Sequence, residues 1–137
     1  MIDYAELFHT SYWRVQTSVH HDQDFFDCFY VRFLDASPEV RAKFKQTSLT
    51  QQKKMMKAFT HLDRLSAEKT ADAYVQCLAQ IHSREGRDIP PHLYVLWLDC
   101  LMATVRDYDP EWTYDVELAW RMALAPGITY MQFQYER

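Results

Sequence analysis

Glycine is almost missing from this sequence, with two in 137 residues against an average usage of about 7%. So few flexible positions leave little material for the tight turns that sheet architectures need, and an all-helical chain is the natural reading. Long apolar runs are missing too. None approaches the roughly 20 residues that cross a bilayer, and the opening MIDYAELFHT is acidic and amphipathic, unlike a secretory signal. The chain is therefore expected in the cytoplasm, without a membrane partner. Cys28, Cys77 and Cys100 lie far apart with no CxxC or CxxCH spacing, which argues against zinc, thioredoxin-like and covalent haem-attachment motifs and for reduced, buried thiols. The net charge is -4 and Lys and Arg are dispersed among acids, so there is no basic stripe for a nucleic-acid backbone. No internal repeat, low-complexity tract or linker divides the chain, and one domain over residues 1–137 is expected.

Aromatic residues, by contrast, are plentiful at 15%, so something bulky is being packed. Tyr4, Leu7, Phe8, Tyr12, Val15 and Val19 recur at helical spacing, and after a break at His20-His21-Asp22 so do Phe26, Phe29, Tyr30 and Phe33. In DASPEVRAKFK, Ser37 is suited to cap a short helix and Pro38 to open it, with an end near Phe44. Gln52, Met55, Met56, Phe59 and Leu62 predict the next helical face, and Tyr74, Leu78 and His82 the one after. Pro90-Pro91 opens a long helix to Tyr108. Asp109-Pro110 repeats the cap-then-proline signal for a last helix through Trp120 to Tyr135, with a kink or break predicted at Pro126-Gly127. That makes seven helical segments.

Polar or flat groups interrupt these apolar faces at Tyr30, Phe44, Gln52 and His82. Taken singly, each has an ordinary explanation: a core tyrosine bonded to a carbonyl, a surface amide, a half-exposed histidine. Glu6-x-x-His9 has the spacing used in di-iron bundles, but no second copy exists. His61 and His92 are flanked by charge or proline and are expected to face water.

The order of the four residues, together with CFYVRFLDASPEVRAKF, LAQIHSREGRDIPPHLY, LWLDCLMATVRDYDP and AWRMALAPGITYM, resembles the globin family. The likeness is to bacterial single-domain globins and the haem domains of flavohaemoglobins, and it covers nearly the whole chain. It implies a globin fold enclosing haem b, iron protoporphyrin IX. By that resemblance His82 is the proximal iron ligand, and Leu78 and Ile89 form the apolar floor around it. Phe44 is the stacking ring, Tyr30 and Gln52 the distal pair, and Leu93 and Trp97 the proximal wall. Met56 is expected over the ligand site, as pocket wall or as a thioether sixth ligand. Arg84 and Arg87 are candidates for the haem propionates, with Lys53 or Lys57 within reach. Tyr94 matches a tyrosine that pairs with a glutamate in flavohaemoglobins to polarise the histidine, but the glutamate position falls on Tyr135, beside Glu136.

Reversible binding of oxygen or another diatomic gas (nitric oxide, carbon monoxide) is the implied function. Oxygen-dependent conversion of nitric oxide to nitrate is the implied chemistry, and turnover would need a separate reductase. Two other readings stand beside this one: a ligand-sensing module acting through self-association or a partner, as monomer or homodimer, and a haem-free fold holding an apolar ligand.

Overall fold

The computed structural model describes residues 1–19, 22–44 and 48–137, with the side chains of 48–53 outside that description. Its described residues form seven helices: α1 (Tyr4–Thr17), α2 (Phe25–Ala36), α3 (Pro38–Lys43), α4 (Ser48–Glu68), α5 (Ala73–His82), α6 (Pro91–Tyr108) and α7 (Tyr114–Gln134). Most begin on a side chain that satisfies one of the orphan N–H groups of the first turn. Asp3, Asp24, Ser37, Asp72 and Thr113 each accept a bond from an N–H two or three residues on. Pro38 and Pro91 open α3 and α6, where no N–H is needed. Among the described residues no helix is long and apolar enough to cross a membrane.

Helix α7 is the common partner, packing against α1, α4, α5 and α6, while α2 crosses α6 and touches α3 and α4. Aromatic rings fill the junction of α1, α2, α4 and α7. Trp120 stands edge-on to Phe8 at 4.9 Å and to Phe59 at 5.8 Å between ring centroids. Its indole N–H donates to Ser11 Oγ at 2.8 Å, and that hydroxyl donates to Asp109 at 2.6 Å. Asp109 is 3% exposed, and Arg14 grips both of its oxygens at 2.7 and 2.9 Å. A buried carboxylate is tolerated there because every side of it is bonded.

Several sequence expectations need correction. Asp109 is the C-terminal cap of α6, and α7 starts later, on Thr113. Val19 lies beyond the end of α1 and is exposed, as is Cys77. His61 does not face water freely: its ring stacks on Tyr74 at 4.2 Å between centroids and bonds Asp72 at 2.6 Å. Helix α7 runs unbroken through Pro126. Proline lacks the N–H that would bond the Met122 carbonyl four residues earlier, and the Ser66 hydroxyl on α4 donates to that carbonyl instead, at 2.6 Å. The residue after the proline is Gly127, where a Cβ would lie 2.3 Å from Leu62 Cδ2 and 3.1 Å from its Cβ. Glycine is thus what lets α7 and α4 approach each other. Gly127→Ala is expected to destabilise the protein by about 1–3 kcal/mol through overpacking, measured by urea unfolding. An unchanged midpoint would contradict this account of the α4–α7 contact.

Candidate functional site

Between these helices lies a cavity of about 460 Å³, within the roughly 300–1,000 Å³ range of cofactor pockets. Helix periodicity explains who lines it. Tyr74, Leu78, Ile81 and His82 are one face of α5; Lys54, Ala58 and Leu62 are one stripe of α4, joined by Met55. Tyr30 and Phe33 enter from α2, Leu93, Tyr94 and Trp97 from α6, and Ile128 and Met131 from α7. Phe44 reaches it from the end of α3, its ring 5.2 Å from that of Phe33, and Ile89 from the loop after His82.

His82 is the only histidine among the described lining residues. Its Nδ1 is 2.8 Å from the Leu78 carbonyl oxygen, one turn back. A carbonyl can only accept, so Nδ1 carries the proton and Nε2 keeps its lone pair. Burial pushes the ring's pKa below its usual value, and the positive charges of Arg87 and Lys54 push the same way against the bond to Leu78. The ring is therefore neutral, the form that ligates metal. The loop that follows is folded back tightly: Arg87 N–H donates to the Ile81 carbonyl at 2.8 Å and Ile89 N–H to that of His82 at 3.1 Å. Gly86 lies against this turn, where a Cβ would sit 2.4 Å from the Ile81 oxygen.

Tyr30 is buried, and burial raises its phenol well above the usual value, so it stays a protonated donor. Burial raises Tyr94 in the same way. Lys54, Lys57 and Arg87 bring positive charge to the lining, and no carboxylate lines the cavity among the described residues.

The structure therefore brings together Tyr30, Phe44, Leu78, His82, Ile89, Leu93 and Trp97. Other expected site residues fall elsewhere. Met56 is 38% exposed and does not line the cavity; its neighbour Met55, 4% exposed, does. One residue turns a helix by about 100°, so adjacent methionines cannot share a face. Arg84 is exposed and paired with Glu136 at 3.2 Å, leaving Arg87 as the arginine of the lining. Glu136 is consequently not the partner of Tyr94, and the histidine's Nδ1 is held by a carbonyl rather than polarised through a glutamate. The side chain of Gln52 and all of His20 and His21 lie outside the described residues. His9 bonds Asp63 on the surface at 2.8 Å, and no cluster of three metal-ligating groups exists among the described residues. Lys54, Ala58, Leu62, Ile128 and Met131 were missed as site residues; the spacing of four along α4 is the signal that could have found the first three.

The seven helices of the described residues, and the histidine-lined cavity between them, fit a known family. The globin family's sequence model matches residues 27–129, and the chain belongs to the globin family. It is similar to the crystal structure of the Pseudomonas aeruginosa PAO1 protein PA3967, described as structurally highly homologous to a human haemoglobin. The identity is 35%, over 98% of this chain and 100% of that one, with a TM-score of 0.83. No curated protein matches the sequence.

The depressed His82 pKa has a consequence for the ligand-free protein. The folded ring holds its proton less tightly than the unfolded one, so below about pH 6.5 the unfolded state takes up more protons. The stability due to neutral His82 is present above that pH and is lost as pH falls through it toward the folded pKa. Urea midpoints of the ligand-free protein are expected to fall from about pH 7 to 5, with a shallower slope in His82→Phe. An identical slope in the variant would contradict the assignment.

Proposed function

We propose that the cavity holds haem b, that His82 Nε2 would ligate its iron, and that the protein binds a diatomic gas reversibly. The observation that carries this reading is the bond from His82 Nδ1 to the Leu78 carbonyl, which leaves Nε2 as the ring's available ligand atom in an apolar cavity. When bound, haem supplies an iron with an open coordination position for oxygen, nitric oxide or carbon monoxide.

The rest of the lining fits such a group. Phe44, Leu93, Ile89 and Trp97 offer flat and branched apolar surfaces to a macrocycle and exclude water from it. Lys54, Lys57 and Arg87 have the charge that two propionates require, in a lining with no acid among its described residues. Tyr30, kept protonated by burial, can direct its hydroxyl hydrogen to a ligand that acquires negative charge on binding. A proximal histidine bonded to a carbonyl is a weaker electron donor than one bonded to a carboxylate. That favours holding a gas over peroxidase-like chemistry.

The test is the absorption spectrum of protein loaded with haem, in ferric, ferrous and ferrous carbon monoxide forms. Wild type is expected to give the Soret band of a histidine-ligated globin. His82→Ala should lose that signature and retain haem at least about tenfold less well, since even outer-shell partners of a metal ligand matter on that scale. No Soret band in wild type, or an unchanged one in the variant, would overturn the proposal.

A further inference from the structure

The aromatic rings around Trp120 continue to the cavity. Trp97 is the one tryptophan among the described lining residues, and its ring centroid lies 6.2 Å from that of Phe59 on α4. Phe59 in turn stands edge-on to Tyr12 at 5.4 Å and to Trp120 at 5.8 Å. Tyr12 and Trp120 are themselves in edge contact at 5.9 Å. Trp120 is fully buried, whereas Tyr12, on α1, is only partly so. The chain of rings therefore begins at the cavity and nears solvent at Tyr12.

Tryptophan and tyrosine give up an electron readily and phenylalanine does not, so Phe59 is only the medium between Trp97 and the Tyr12–Trp120 pair. Trp120 is placed to carry positive charge. Its indole N–H donates to Ser11 Oγ at 2.8 Å, and that hydroxyl donates to Asp109 at 2.6 Å. A hydroxyl polarised by a carboxylate is a better acceptor and favours positive charge on its donor, an effect that Arg14, paired with Asp109, partly offsets. Tyr12 is placed to end the chain. Burial pushes its phenol up to about 12, so it is protonated until it is oxidised, and its exposed part gives water access to the proton it then releases.

We propose that Trp97, Trp120 and Tyr12 form a route by which an oxidising equivalent leaves the cavity for the surface. This inference rests on the haem reading above, since haem when bound supplies the iron at which a peroxide takes up electrons. Hydrogen peroxide needs two electrons and two protons to become two waters. One electron comes from Trp97 and is replaced through Trp120 by Tyr12, which loses its proton to water and becomes a phenoxyl radical. A one-electron donor of the ascorbate class returns an electron and a proton to that phenoxyl at the surface. A second donor molecule supplies the other electron and proton, so the products are two waters and two donor radicals. Without the route the oxidant is spent on the lining, where the thioethers of Met55 and Met131 take an oxygen atom from peroxide to give sulfoxide and water.

Haem-loaded protein is mixed with hydrogen peroxide and a nitroso spin trap. The trapped radical is read by electron paramagnetic resonance, and its position by mass spectrometry of the peptides, which also reports sulfoxide at Met55 and Met131. Wild type is expected to carry the adduct on Tyr12. Tyr12→Phe removes only a hydroxyl; it should lose that adduct and gain sulfoxide at both methionines. Trp120→Phe keeps Tyr12 and removes the indole, so the Tyr12 adduct should fall; an unchanged adduct there would overturn the part given to Trp120. If Trp120→Phe folds poorly, Tyr12→Phe carries the test alone. In protein with a histidine-ligated spectrum, an adduct on Tyr30 or Tyr94 of the lining in place of Tyr12, or unchanged sulfoxide in Tyr12→Phe, would overturn the route while leaving the haem reading intact. Absence of that spectrum in wild type would overturn both.

Discussion

One part-buried hydrogen bond organises the site: His82 Nδ1 to the Leu78 carbonyl. It selects the tautomer, orients the ring along the last turn of α5 and leaves one nitrogen available. Burial does the rest by disfavouring the charged form, and the neighbouring cations Arg87 and Lys54 add to it. A histidine in water has neither a fixed tautomer nor a fixed charge near neutral pH; here both are settled before any ligand arrives. The apolar walls then serve two purposes, since the surfaces that would accept a macrocycle are the ones that desolvate the ring.

Keeping that arrangement requires a rigid frame around an open space, and α7 supplies much of it. The helix passes a proline without breaking because Ser66 satisfies the carbonyl that Pro126 leaves unbonded. Gly127, next in sequence, brings the same stretch against Leu62, itself a lining residue. Outside the cavity lining, Arg14, Asp109, Ser11 and Trp120 tie α1, α6 and α7 through a buried polar chain. Removing Arg14 from this chain would strand the buried Asp109 charge. Both glycines sit at close approaches and neither has left-handed backbone, a conformation that Asp22, Lys69 and Asp88 take instead.

Much of this was legible in the residues. Caps such as Ser37 with Pro38, and the repeat of Tyr74, Leu78 and His82, are local signals, and local signals survive into the fold. The globin pattern singled out Phe44, Tyr30 and His82 together, and the structure gathers them at one cavity. What the sequence hid was rotational phase and pairing. Met55 and Met56 are chemically identical, and only the packing of α4 decides which faces inward. Arg84 and Arg87 are similarly ambiguous until Glu136 claims the first. Asp109-Pro110 imitates a helix start because its capping chemistry is real, but the carboxylate serves Arg14 and the N–H of Glu111 instead of a new helix. Tyr135 bonds Asp88, a contact between residues too distant in sequence for any spacing rule.

In the proposed reading a neutral, carbonyl-oriented histidine is what would hold an iron porphyrin, with the basic lining and the buried phenol as supporting features. A crystal structure of the haem-loaded protein tests this most directly. The expected result is iron bonded to His82 Nε2 while Nδ1 still donates to the Leu78 carbonyl, with Phe44 against the porphyrin. Iron bonded through another residue, or haem outside this cavity, would contradict it.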